Sequence, residues 1–378
     1  MNAVRWNFKY ATLALAVAAT LTACGGDSSN APDTSGIASL PADLLLRPAA
    51  GNCTALRNGV YRTVRPKPNS ELAAQYSKFT ITNVGILSVT PLNGNPGNWT
   101  ASDPCRYTDD NGNTNIVVSP AGVIVKSSQS GDDVTHHLEI AIPDQAHTQA
   151  EISGNWSALR MHGNNGTFSG AAINFSVDAA GAVTSRFCNN PQTWDVIVCD
   201  PEETGVVSLK ANSDGGFDNV RNGTLIGRTF AYRAGGGELM LVSVDSDGTF
   251  TLSTRQRHTD ALPAVGTVNT GWTVSLNDQL TSVGGLSEFS NTVVSVDTAA
   301  GSFVRKTNNP GATNHHLETL LTNRPRDGYI YRVPDTAAAD DGTTVNVRAF
   351  IALNLRGMGM APLLVPSLKT FLLAVNKP

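Results

Sequence analysis

Two segments of the chain, VTHHLEIAI at 134–142 and TNHHLETLL at 313–321, carry the same four residues, His-His-Leu-Glu. Imidazole nitrogen and carboxylate oxygen both suit zinc or iron, so the first question is whether these are metal ligands. On a strand, alternate side chains share a face. His137 and Glu139 then lie together, as do His316 and Glu318. The opposite face carries His136, Leu138, Ile140 and Ile142, matched by His315, Leu317, Thr319 and Leu321. A cupin-like site needs His-x-His followed by a later Glu, and neither segment has it. The expectation is therefore a copied strand with one apolar and one solvated face. No metal or other cofactor is assigned, and His137, Glu139, His316 and Glu318 are the residues on which a metal would depend.

Other chemistry-bearing patterns are weaker. DDNGNTN at 109–115 spaces Asp109, Asn111 and Asn113 at alternate positions, but its glycine is misplaced for an EF-hand loop, so a polar turn is expected. DSDGT at 245–249 reads as a hairpin turn before it reads as a calcium loop. Gly-x-Ser-x-Gly, a Walker loop and His-Glu-x-x-His are all absent. A Ser-His-Asp triad assembled in space would leave no spacing signature. The carboxylates fall mostly in turns, so no acid–base pair for glycoside cleavage stands out. Trp99, Trp156, Trp194 and Trp272 are expected to pack in cores.

The elements that must position these residues are short and alternating. INFSVDAAGAVTSRF (173–187), LMLVSVDSDGTFTLST (239–254) and VVSVDTAAGSFVRKT (293–307) share one plan, a strand ending in Val-Asp, a glycine-bearing turn, and a second strand. Asp bonds the turn backbone and Gly takes positive φ, which makes these hairpins. SELAAQYSKF (70–79) is the best helix candidate, and APLLVPSLKTFLLAV near the C-terminus reads as two buried strands. The fold class is all-β.

Similar segments recur in the same order. GVYRTV resembles RTFAYR, NWTAS at 98–102 resembles GWTVS at 271–275, and the two histidine segments follow at a nearly constant offset. Collinearity predicts an internal duplication, with halves at 52–222 and 223–378. Each half is the size of an antiparallel β-barrel or β-sandwich. A β-propeller is the alternative, though no regular blade period is found.

The first residues carry Arg5 and Lys9, an apolar run from Ala11 to Leu21, and then Leu21-Thr22-Ala23-Cys24-Gly25. This resembles the signal peptide and lipobox of bacterial lipoproteins. The resemblance implies cleavage of residues 1–23 and diacylglycerol on the Cys24 thiol, often with acylation of its amine. Several acyl chains anchor stably where one is marginal. Gly25, in place of the aspartate that retains family members in the inner membrane, favours the outer membrane; the leaflet is open. Residues 24–51 then form the lipidated end and a Gly/Ser/Pro-rich flexible tether. Four further cysteines, Cys53, Cys105, Cys188 and Cys199, are an even number in an exported chain and predict two disulfides. Of three connectivities, Cys53–Cys105 with Cys188–Cys199 is preferred, because the second pair flanks a short hairpin-like segment.

With 27 Lys+Arg against 31 Asp+Glu the chain is mildly acidic, and no basic run is interleaved with aromatics, which argues against nucleic acid as a partner. The expected function is a non-catalytic envelope module. It is held at the membrane through Cys24 and binds a protein, a glycan or an apolar ligand. The alternative is an envelope hydrolase or metal-dependent enzyme with its site assembled between strands.

Overall fold

The computed structural model describes residues 40–67, 70–84, 86–91, 97–129, 135–164, 167–188, 203–277, 281–283 and 286–378. Short alternating runs, too brief for helix and punctuated by turn residues, become antiparallel strands that close on themselves into three barrels. The first runs from strand Gly59–Val64 to strand Thr135–Pro143, which closes it by pairing with both Gly59–Val64 and Ile124–Gln129. The second runs from Gly154–Asn164 to Phe250–Arg255, and these two strands pair with each other. In the third, the first strand Val268–Leu276 pairs with the last, Thr370–Asn376. Closure leaves none of these sheets with a free edge.

The all-β, tandem-barrel expectation holds, but the chain is not divided into halves at 222 and 223. Those residues form the hairpin turn between strands Phe217–Arg221 and Thr224–Arg233, inside the second barrel. The reason is that the likeness along the chain lies at the level of hairpins. GVYRTV is the opening strand of the first barrel, whereas its counterpart RTFAYR lies in the second. The histidine segment ends the first barrel but supplies the fourth strand of the third, Leu317–Thr322.

Two smaller expectations resolve differently. The segment at 70–79 makes only a 3-10 turn, Leu72–Ala74, before strand Tyr76–Val84, because alternation from Tyr76 onward pairs with Gly59–Val64. The C-terminal segment does form two paired buried strands, Met360–Val365 and Thr370–Asn376, with Pro366 and a left-handed Lys369 in the turn. Cys53 and Cys105 are disulfide-bonded, with Cα atoms 4.5 Å apart. Cys24, Trp194, Cys199 and the side chain of Cys188 lie outside the described residues, so the leader and the second disulfide do too.

The barrels are joined through their walls. One apolar cluster takes in Leu138 and Ile140 from the first, Phe230 and Met240 from the second, and Trp272 and Leu373 from the third. Arg62 of the first barrel is 2% exposed; it ion-pairs with Asp214 of the second at 2.7 Å and stacks on Phe230. A short strand of the third barrel's chain, Thr281–Val283, pairs with Thr135–His137 of the first. Tyr329 of the third barrel sets its hydroxyl into the wall of the second. It accepts from the Ala158 N–H at 3.0 Å and lies 2.7 Å from the Ile173 carbonyl oxygen.

Candidate functional site

The His-His-Leu-Glu segments can now be placed. Glu139 sits opposite Lys126 in register, and Glu318 opposite Arg305. Both glutamates point into their barrels. Lys126 Nζ lies 4.4 Å from the Phe79 ring centre and 5.6 Å from that of Trp99, two rings on other strands across the first barrel. Glu318 shares its face with Leu320, which packs with Phe289, Phe303 and Phe350 inside the third. The expected solvated face is thus corrected to an interior one. Leu138, Ile140 and Ile142 are buried because the outside of the first barrel meets its neighbours, whereas Leu317, on the open outside of the third, is 51% exposed.

Each glutamate is bracketed by two cations. Glu139 lies 3.4 Å from Lys126 and 3.7 Å from Arg65. Glu318 is fully buried. Its Oε2 accepts from Arg305 Nε and Nη2 at 2.9 and 2.6 Å, and its Oε1 from Arg332 Nη1 at 2.6 Å, with His316 Nε2 3.4 Å away. Burial pushes the Glu318 carboxyl up, but Arg332 and then Arg305 outweigh it and hold it at about 2. Oxygens already taken by guanidinium donors are poorly placed to ligate a metal. The candidates His137 and Glu139 belong to one barrel and His316 and Glu318 to another, and no group of three or more metal-ligating side chains occurs among the described residues.

The second barrel has a different interior. Its floor is filled by Ile152, Trp156, Val177, Phe217 and Leu239, with the Trp156 indole donating to the Ile152 carbonyl at 2.9 Å. Above that floor lies a cavity of about 150 Å³. Because side chains alternate in and out along each strand, the lining follows the strand order. Strands Thr167–Val177, Ala182–Cys188 and Glu203–Ala211 contribute mainly apolar groups, among them Ile173, Phe175, Val183, Phe187 and Leu209. The remaining strands contribute mainly polar ones, including Arg160, Asn219, Arg221, Thr229, Ser243 and Asp245. The cavity is divided lengthwise into an apolar and a polar half.

The polar half is a connected network. Asn219, Gly227 and Asp245 are aligned across three neighbouring strands. A Cβ on Gly227 would stand 2.0 Å from Asp245 Oδ1 and 2.9 Å from Asn219 Nδ2. Glycine therefore lets the two side chains meet over it, and Asn219 Nδ2 donates to Asp245 Oδ1 at 3.0 Å. Thr229 Oγ1 donates to Asn219 Oδ1 at 2.7 Å and lies 2.8 Å from Ser243 Oγ. Burial raises the Asp245 carboxyl above its usual range, with the Asn219 hydrogen bond opposing.

Sequence reading assigned Asp245 to a hairpin turn, and two of the three matching aspartates do that work. Asp178 accepts from the N–H groups of Ala180 and Ala182, and Asp297 from those of Ala299 and Ala300. In the third hairpin Asp247 takes over, accepting from the Thr249 N–H at 2.9 Å, and Asp245 turns into the barrel. The signal was present: only this hairpin carries a second aspartate two residues on. Asp109 likewise closes its own turn, bonding the N–H groups of Asn113 and Thr114.

A second, polar cleft contains His258. Its Nδ1 lies 2.7 Å from Asp327 Oδ1 and its Nε2 3.0 Å from Asn323 Nδ2. Both ring nitrogens are engaged, so the imidazole has no lone pair directed at a substrate. Asn323 also exchanges hydrogen bonds with the backbone of Thr259, which ties this linker to the 323–328 turn.

No family model matches the chain, and no curated protein matches it. Among the solved structures that align, three illustrate how weak the likeness is. A DUF3598-family protein of unknown function from Nostoc punctiforme is 12% identical over 61% of this chain and 99% of its own, with a TM-score of 0.20. Transferrin binding protein B from Neisseria meningitidis is 10% identical over 85% of this chain and 68% of its own, with a TM-score of 0.19. Caulobacter crescentus pol III beta is 7% identical over 84% and 91%, with a TM-score of 0.12. Scores this low carry no argument about fold or activity.

Proposed function

We propose that this chain is a lipid-anchored protein of the bacterial outer membrane that acts as a non-catalytic binding module, with the second-barrel cavity as its ligand site. The observation that carries the binding reading is the divided cavity, a small apolar chamber faced by a preformed hydrogen-bonding network. Apolar walls with a few fixed polar groups are the usual lining of ligand pockets. Among the described residues no imidazole or thiol lines the cavity, and its carboxyl, Asp245, is engaged by the Asn219 amide rather than by a hydroxyl. The anchor rests on the lipobox residues Leu21 to Cys24.

Two measurements test the proposal. Benzyl alcohol, titrated by NMR, is expected to shift resonances of the second barrel in the wild type and not in Ser185→Phe, which fills the cavity. Shifts that persist in the filled variant would place binding elsewhere. Cys24→Ala is expected to abolish incorporation of labelled fatty acid and to block cleavage of the leader; unchanged acylation and maturation would refute the anchor.

A further inference from the structure

Among the described residues, the polar half of the cavity carries two guanidiniums and one carboxyl. Arg160 projects from strand Gly154–Asn164, with its guanidinium carbon 5.8 Å from the Phe187 ring centre on the apolar side. Arg221 ends strand Phe217–Arg221 and is exposed beside the cavity. Both line the same space, and among the described residues neither makes an ion pair within 4 Å; their charges reach Asp245 from a distance. Among the described residues the lining carries a single carboxyl, Asp245, and the Asn219 amide already occupies one of its oxygens. Just outside the lining, Asp247 lies 3.5 Å from His162 and also feels the charge of Arg160. Two guanidiniums therefore face one carboxyl across a chamber whose opposite wall is hydrocarbon.

Size narrows the ligand further. A cavity of about 150 Å³ is comparable to an apolar cavity that holds one benzene ring. Guanidinium groups match carboxylate geometry with paired N–H donors, and such charge-assisted bonds are stronger than neutral ones. We infer that the second barrel selects a small organic anion, one ring or a short branched chain bearing a carboxylate. Its apolar body lies against Ile173, Phe175 and Leu209, and its carboxylate turns toward Arg160 and Arg221. This rests on the binding reading above and adds the sign of charge and the size of the ligand.

The test uses three probes of one shape: benzoate, benzyl alcohol and benzylammonium, titrated into the full-length mature chain by calorimetry at pH 7. Benzoate is expected to bind most tightly. Arg160→Met keeps the aliphatic stem over Phe187 and should weaken benzoate about ten- to a hundredfold, the loss of charged hydrogen bonds, while leaving benzyl alcohol within about twofold. Arg221→Gln, at an exposed position, should act in the same direction without affecting the fold. Asp245→Asn should leave benzoate binding intact or tighten it. Benzylammonium binding more tightly than benzoate, and losing affinity in Asp245→Asn, would overturn the inference while leaving a binding cavity. Equal affinity for benzoate and benzyl alcohol would overturn it as well. Failure of all three probes to bind would overturn the binding reading itself.

Discussion

Replacing Glu318 by Gln tests the account of the repeated His-His-Leu-Glu motif. The side chain is 0% exposed and stands between Arg305 and Arg332, themselves 0% and 3% exposed. Gln keeps the volume but leaves two buried guanidiniums without a counter-charge. Breaking a buried ion pair on one side costs about 3–5 kcal/mol. The carboxyl itself points to a similar size: moving from 4.5 to about 2, at about 1.4 kcal/mol per pH unit, corresponds to about 3 kcal/mol. Glu139 is the internal control. It and Lys126 retain 15% and 14% side-chain exposure and Arg65 29%, so solvent screens the pair and Glu139→Gln should cost about 1 kcal/mol or less. Urea unfolding followed by tryptophan fluorescence reads both, and urea leaves the ion pairs unscreened. The sign with pH follows from the depressed value. The Glu318 contribution is fully present above pH 4.5 and is lost as pH falls through about 2, so the wild type and Glu318→Gln should converge in strong acid. A triple variant, Glu318→Leu with Arg305→Met and Arg332→Met, removes the carboxylate and both guanidiniums and should regain much of the loss. Equal midpoints for Glu318→Gln and the wild type at pH 7 would refute the buried-cluster account.

Two further outcomes are expected. Tyr329→Phe deletes the hydroxyl bonded to the backbone of Ala158 and Ile173. It leaves a buried N–H unpaired and should lower stability by about 1–3 kcal/mol, with faster amide exchange at Ala158 than at residues on the far side of the second barrel. The Cys53–Cys105 bond closes a span of 52 residues, and in the chain-entropy account it stabilises by about 4 kcal/mol. Peptide mapping without reductant should recover the two cysteines linked, and recovery of both as free thiols would contradict the structure.

Much of this architecture is written in local pattern. The Val-Asp hairpins are visible because Asp178 and Asp297 bond their own turns, which is short-range chemistry. Pro366 and Lys369 similarly mark the turn between the last two strands. What pattern could not give is which face of a strand is inside. Alternation shows two faces, and a charged face is ordinarily assigned to water. Glu318 is internal because Arg305 and Arg332, 13 and 14 residues away, come to it from neighbouring strands. Leu317 is outside for the same geometric reason. Barrel count was equally hidden, since closure depends on which distant strands meet, such as Gly154–Asn164 with Phe250–Arg255. The cavity site was partly legible in the doubled aspartate of DSDGT, but its partners Asn219 and Gly227 are joined to Asp245 only by the sheet.

The placement of Tyr329 has a consequence for how the chain is made. Its hydroxyl bonds the backbone of a barrel whose own strands end at Arg255. Arg62 waits in the same way for Asp214, 152 residues later. The strands of the middle barrel can therefore pair once its own sequence has emerged, but the hydrogen bonds of the Tyr329 hydroxyl to Ala158 and Ile173 wait until residue 329 arrives. Long-range closures of this kind are slow. The nascent protein is expected to pass through a stage in which nearly formed barrels await one another, and a fragment ending near residue 256 should exchange its amides faster around Ala158 than the full chain does.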